Sequence, residues 1–169
     1  MTDFSFRKIT SADRTFVQKV LGNPKVYQYY GVQILSERDA IDQMEWYAEL
    51  EVKETGQWWL IFDSIHLREI GAIGFNDYVC KKKECEIGFW LDPDWWGKGV
   101  ISEIFPQLLQ NIPQNWDLQT MIAVVETENK NCIQLLKKLN FEFLQTIYNG
   151  EVKKGKSIDL ELYTYHIQG

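Results

Sequence analysis

The chain has 169 residues, 45% of them hydrophobic and 25% charged, the proportions of a soluble globular protein with enough length for one real core. A formal charge of −6 argues against general nucleic-acid binding, which needs clustered basic residues, and no apolar run approaches membrane-spanning length. Cys80, Cys85 and Cys132 form no CxxC pair and His66 and His166 stand far apart, so metal-ligand spacing is missing and reduced thiols in a cytoplasm are expected.

The opening "FSFRKI" alternates and predicts a strand from Phe4 to Ile9. Ser11 is placed to cap a short helix from Ala12 to Leu21, which Gly22-Asn23-Pro24 ends. The aromatic stretch "VYQYYGVQILS" reads as irregular, and a second helix follows from Glu37 to about Lys53 with Ser36 as its cap. "QWWLIFD" (Gln57 to Asp63) and "REIGAIGFNDY" (Arg68 to Tyr78) predict a hairpin. "CEIGFWL" (Cys85 to Leu91) continues the sheet after a lysine turn. A helix from about Val100 to Ile112 carries its apolar residues in one stripe. Pro106 inside it removes a donor and should kink it or strand the Ser102 carbonyl. "QTMIAVV" (Gln119 to Val125) is a continuous apolar strand, buried on both faces if parallel to a neighbour. A helix from about Asn129 to Leu139 and a long closing hairpin complete the order β-α-α-β-β-β-α-β-α-β-β, a mixed α/β (α+β) domain on one sheet. The short basic runs Lys81-Lys82-Lys83 and Lys153-Lys154 with Lys156 read as solvated turns.

Within "DPDWWGKGVISE", Gly97 and Gly99 stand between the end of a strand and the mouth of a helix. A helix N-terminus presents free N–H groups and partial positive charge, glycine admits a phosphate to the backbone, and Lys98 adds a cation. By itself the stretch fits a phosphate cradle and a plain tight turn equally. The Walker pattern is absent, and Ser102 stands where a dinucleotide fingerprint needs its third glycine.

"EIGFWLDPDWWGKGVISE", followed later by "VETENKNCIQLLKKLNFE", closely resembles the GNAT N-acetyltransferase superfamily, nearest to its ribosomal-protein N-acetyltransferase (Rim-type) branch. The resemblance runs over nearly the whole chain, residues 1–169. It implies a single domain with a mostly antiparallel sheet of about seven strands, about four flanking helices and a splayed central strand pair. The family's pyrophosphate loop falls on Trp96-Gly97-Lys98-Gly99-Val100-Ile101, with Ile101 where the family has a small residue. Amides there and at Ser102 are implied to hold coenzyme A, with Leu91 and Trp90 beside the pantetheine arm. The co-substrate is then acetyl-CoA, with no metal, and the partner is an amine: a peptide N-terminus or a small molecule.

Acetyl transfer to an amine needs a proton acceptor for the ammonium, donors for the developing oxyanion, and help for the departing thiolate. The resemblance puts Glu86 on the splayed strand facing the acceptor as the base. A surface carboxylate paired with a lysine is the competing reading, and Glu126 is the weaker alternative base. Many superfamily members place a tyrosine acid on the last helix, where this chain has Leu136. Cys132, with a reference pKa of about 8.5, could serve instead or be an inert small residue. Asn129 fits a pantetheine contact and a helix cap equally. Tyr27, Tyr29, Tyr30 and Trp46 are the residues available to line the acceptor cleft. A non-catalytic acyl-CoA-binding sensor or subunit on the same fold is the alternative function. Monomer and homodimer both remain open.

Overall fold

The computed structural model describes residues 1–168. Seven strands form one sheet: β1 (Phe4–Lys8), β2 (Gln57–Asp63), β3 (Arg68–Val79), β4 (Glu84–Leu91), β5 (Thr120–Glu126), β6 (Glu142–Lys153) and β7 (Lys156–His166). Their order across the sheet is β1-β2-β3-β4-β5-β7-β6, and every neighbouring pair is antiparallel except β4 with β5. Five helices flank it: α1 (Arg14–Leu21), α2 (Pro24–Tyr27), α3 (Glu37–Val52), α4 (Val100–Asn111) and α5 (Lys130–Lys138).

Strand alternation divides the apolar residues between two cores. Trp58, Leu60, Ala72 and Trp90 point to the face covered by α1, α2 and α3. Trp59, Ile61, Ile73, Phe75, Cys85, Ile87 and Met121 point to the face covered by α4 and α5.

Helix α3 begins as expected, with the Ser36 hydroxyl accepting from the Asp39 N–H at 3.1 Å. The first helix differs. Ser11 is no cap but the first residue of a 3-10 turn, Ser11–Asp13, and the α-helix proper starts at Arg14. The buried Asp13 carboxylate causes this, because it accepts from the Thr10 N–H at 2.8 Å and from both terminal nitrogens of Arg7 at 2.7 and 3.0 Å. Part of the stretch read as irregular forms the one-turn helix α2, where Asn23 accepts from the Lys25 N–H at 3.0 Å and Pro24 supplies its fixed φ at the first position. Helix α4 passes unbroken through Pro106, which has no N–H to offer the Ser102 carbonyl.

The parallel pair fixes where the site lies. β4 and β5 are in register only at Glu84–Thr120, Cys85–Met121 and Glu86–Ile122. Past that point β4 stays with β3 as far as Leu91, and β5 stays with β7 as far as Glu126. The sheet therefore opens down its middle into a β1-β2-β3-β4 half and a β5-β7-β6 half. The opening also corrects the expectation for β5. Being parallel to β4 does not bury both its faces, since Ile122 is half-buried and Val124 is 40% exposed beside the split.

Candidate active site

At the end of β4 the chain makes a turn built from its own polar groups. The Asp92 carboxylate accepts from the Asp94 N–H at 3.1 Å, Pro93–Trp95 form a 3-10 turn, and Trp96 donates its indole N–H back to the Leu91 carbonyl at 3.1 Å. Gly97 (φ 72°) and Gly99 (φ 76°) then take the left-handed conformation that disfavours any side chain. A Cβ at either would meet nothing within 4 Å, so protein crowding is not why glycine stands there. The space in front of the loop is open.

Gly99 caps α4 without a side chain, and the first bond of the helix ladder runs from the Glu103 N–H to the Gly99 carbonyl at 3.1 Å. The N–H groups of Val100, Ile101 and Ser102 fall outside that ladder. With the left-handed glycines before them they make a concave set of donors suited to an anion. Val100 and Ile101 are both buried in the α4–α5 core. A large residue at position 101 therefore faces inward and leaves the loop surface to the backbone. Lys98 lies across Trp95, its Nζ 5.1 Å from the ring centroid, and Arg68 sits 5.8 Å from the same ring.

Around the split, the residues expected to serve the reaction differ in how free they are. Trp90 is buried, packs on Phe16 with ring centroids 5.8 Å apart, and donates to the Tyr47 hydroxyl at 3.3 Å. Its backbone is paired with Ala72, and because the Asp92 N–H bonds the Ile70 carbonyl two residues on, alternation turns Trp90 toward β3 and Leu91 toward the opening. Asn129 caps α5 by accepting from the Cys132 N–H at 3.3 Å. Burial pushes the Cys132 thiol up to about 12, a weaker acid than the ordinary thiol assumed from sequence. Leu136 is buried, and the Tyr163 hydroxyl, also pushed up to about 12 by burial, already donates to Glu161 at 2.6 Å.

Glu86 lies where β4 and β5 part, beside Asn76 on β3 and Ile122 on β5. Burial raises its carboxyl pKa, and the charge and hydrogen bond of Asp77 raise it further. Asp77 is held there by a bulge with φ 54° and by the Asn76 amide, 2.9 Å from its carboxylate. Tyr30 is half-buried and its hydroxyl pKa is raised well above the usual value, first by desolvation and then by the charges of Tyr47 and Glu86. Tyr30 thus feels the charge of Glu86, with no hydrogen bond joining the two. Trp46 joins the same face, with Tyr47 at 5.4 Å and Trp58 at 6.2 Å between ring centroids. Tyr29 is exposed, and no ring contact or hydrogen bond among the described residues ties it to this cluster.

Two groups on this face were not legible as site residues. Trp58 lies flat over Gly74 and Gly88, where a Cβ would come within 2.3 and 3.0 Å of its ring. "WW" in a strand shows only that one tryptophan faces each side. The second is Lys153, read as a solvated turn residue but found at the end of β6, 2.9 Å from Glu126 and 3.2 Å from the Gln28 carbonyl. It fastens the last hairpin to the segment before Tyr29 and Tyr30, and it commits Glu126 to an ion pair. Among the described residues no cluster of histidine, cysteine or carboxylate groups could hold a metal ion, and no helix is long and apolar enough to cross a membrane.

Comparison with known proteins gives concordant matches. The family model described as acetyltransferase (GNAT) domain matches residues 3–142. An uncharacterised N-acetyltransferase of Bacillus subtilis (strain 168) is 28% identical over 159 residues, covering 94% of this chain and 90% of the relative. A ribosomal-protein-serine acetyltransferase of Escherichia coli (strain K12) is 25% identical over 151 residues, covering 89% and 79%. Among solved structures, a RimL ribosomal L7/L12 alpha-N-protein acetyltransferase, in complex with coenzyme A through a cysteine disulfide, superposes with a TM-score of 0.87. Its identity is 18%, and the alignment covers 99% of this chain and 96% of that one.

Proposed function

The chain belongs to the acetyltransferase (GNAT) domain family, and on that premise we propose that it transfers acetyl from acetyl-CoA to a primary amine by direct attack in a ternary complex. A peptide or protein N-terminal α-amine is the favoured acceptor, supported by the serine-acetylating ribosomal-protein relative. The observation that carries the reading is the glycine loop delivering free α4 amides beside an open strand pair.

In this reading the amides of Gly97, Lys98, Gly99, Val100, Ile101 and Ser102 bind the pyrophosphate, and the loop position of Trp96 sets their approach. The backbone of Leu91, with Trp90 beside it, faces the split, where an unpaired strand amide gains a partner from an inserted pantetheine arm. Acetyl-CoA supplies the thioester carbonyl that the amine attacks. Glu86 takes the ammonium proton, for which a raised pKa is an advantage. A backbone N–H near Leu91 polarises the carbonyl oxygen. Tyr30 and Trp46 line the acceptor side. Three unpaired cysteines support a reducing, cytoplasmic location.

An acyl-CoA-binding module without turnover is the second reading. The weak acidity of Cys132 and the leucine at position 136 favour it. Thermal unfolding with acetyl-CoA, free CoA or ATP tests the shared premise. At 100 times its Kd a ligand adds about 2.7 kcal/mol, a rise of a few degrees. Both CoA species should raise the midpoint and ATP should not; no shift with any of them removes the proposal. Release of CoA on adding amines then separates enzyme from module.

A further inference from the structure

Two buried hydrogen-bond donors on the acceptor face have no partner: Trp58 Nε1 and Gln43 Nε2. Trp58 is 2% exposed and Gln43 8%. Both belong to the cluster around Tyr47. Trp58 stacks at 5.5 Å from the Tyr47 ring. Gln43, one helical turn earlier on α3, comes near enough to the Tyr47 hydroxyl to favour its ionised form without reaching a hydrogen bond. Trp58 also places its polar edge. The ring atoms nearest a side chain at Gly88 are Cη2 and Cζ2, both at 3.0 Å, and Nε1 is two bonds from Cζ2. The indole N–H is therefore more than 4 Å from that position but on the Cζ2 side of the ring, and Gly88 is two residues along the same strand face from Glu86.

A buried donor left unmade costs as much as a lost hydrogen bond, and two of them in one cluster are open to an acceptor atom on a ligand. Resting on the acetyltransferase reading, we propose that Trp58 and Gln43 recognise an uncharged carbonyl oxygen on the acceptor, close to the amine delivered to Glu86. The chemistry is that of a peptide N-terminus or an amino-acid amide. Glu86 and Asp77 stand on the same side, so a carboxylate would meet like charge there, whereas a neutral carbonyl would not. A linear polyamine carries no oxygen for either donor. The aromatic rings of Trp46, Tyr47 and Trp58 give such a substrate an apolar wall.

The test compares three amines on the full-length chain with acetyl-CoA, following release of CoA: an alanyl or seryl peptide blocked as its amide, the free amino acid, and a diamine. The peptide amide should exceed both others at least tenfold in kcat/KM. Trp58→Phe keeps a ring and loses the donor, and Gln43→Met does the same for the amide. Each should lower kcat/KM for the peptide about tenfold, mostly through KM, and by several-fold less for the diamine. If Trp58→Phe unfolds, Gln43→Met carries the comparison. Equal losses on all three amines, or a preference for the diamine, overturn the assignment while leaving the acetyltransferase reading intact. A melting shift with CoA but no release of CoA with any amine overturns both.

Discussion

At the scale of single residues, the base role proposed for Glu86 ties activity to stability. Its carboxyl is held above the usual range by burial first and by Asp77 second. In the folded state ionisation is therefore disfavoured, so the folded protein loses stability as pH rises from the unfolded value of about 4.5 through the raised one. Glu86→Gln should accordingly raise the melting midpoint at neutral pH, with the gain vanishing below pH 4.5. It should lower kcat by roughly 10²–10⁴-fold with the CoA-induced shift retained. In the wild type the acid limb of kcat/KM should fall above pH 4.5. A variant of unchanged activity would remove Glu86 as the base. Its place on the acceptor face was inferred from the resemblance, but its partner was not. Asp77 acts through a bulge, and nothing in "GFNDYVC" marks where a strand pair loses register.

At the scale of elements, the turn before α4 was legible because glycine is the residue that adopts φ near 70° without strain, and the resemblance, not the glycines alone, decided between a cradle and a plain turn. Gly99→Ala should cost about 1–2 kcal/mol of stability through its backbone alone. Its methyl would also stand in the open space before the amides, so the CoA-induced rise in melting temperature should fall by more than the loss of stability accounts for. A differential scan with and without CoA measures both. The start of α3 was equally plain, since Ser36 and Asp39 are local partners. The start of α1 was not. It depends on Arg7, which reaches Asp13 from the neighbouring strand, and a scan for caps reads Ser11 instead. Lys153 was misread for a related reason: a lysine among lysines looks solvated until a folded partner 27 positions earlier, Glu126, claims it.

At the scale of the whole molecule, the order of elements along the chain followed from periodicity and turn residues, and the splayed sheet from the resemblance, whereas the strand order across the sheet and the extent of the split did not. "CEIGFWL" and "TMIAVVE" are both apolar enough to pair throughout, yet they share three residue pairs. The parting is set by what the outer strands hold, with β3 keeping β4 and β7 keeping β5. Hydrogen exchange should show it directly. Amides of β4 beyond Glu86 that do not face β3 should exchange faster than those that do, and CoA should slow them selectively. Uniform protection along β4 without ligand would mean that the sheet is closed in solution.

A seam joined at three positions also bears on how long each molecule lasts. The two half-sheets meet at their weakest where a protease or a chaperone would find an edge to take hold of. A ligand that filled the seam would tie one half to the other, so limited proteolysis should slow as coenzyme A is added.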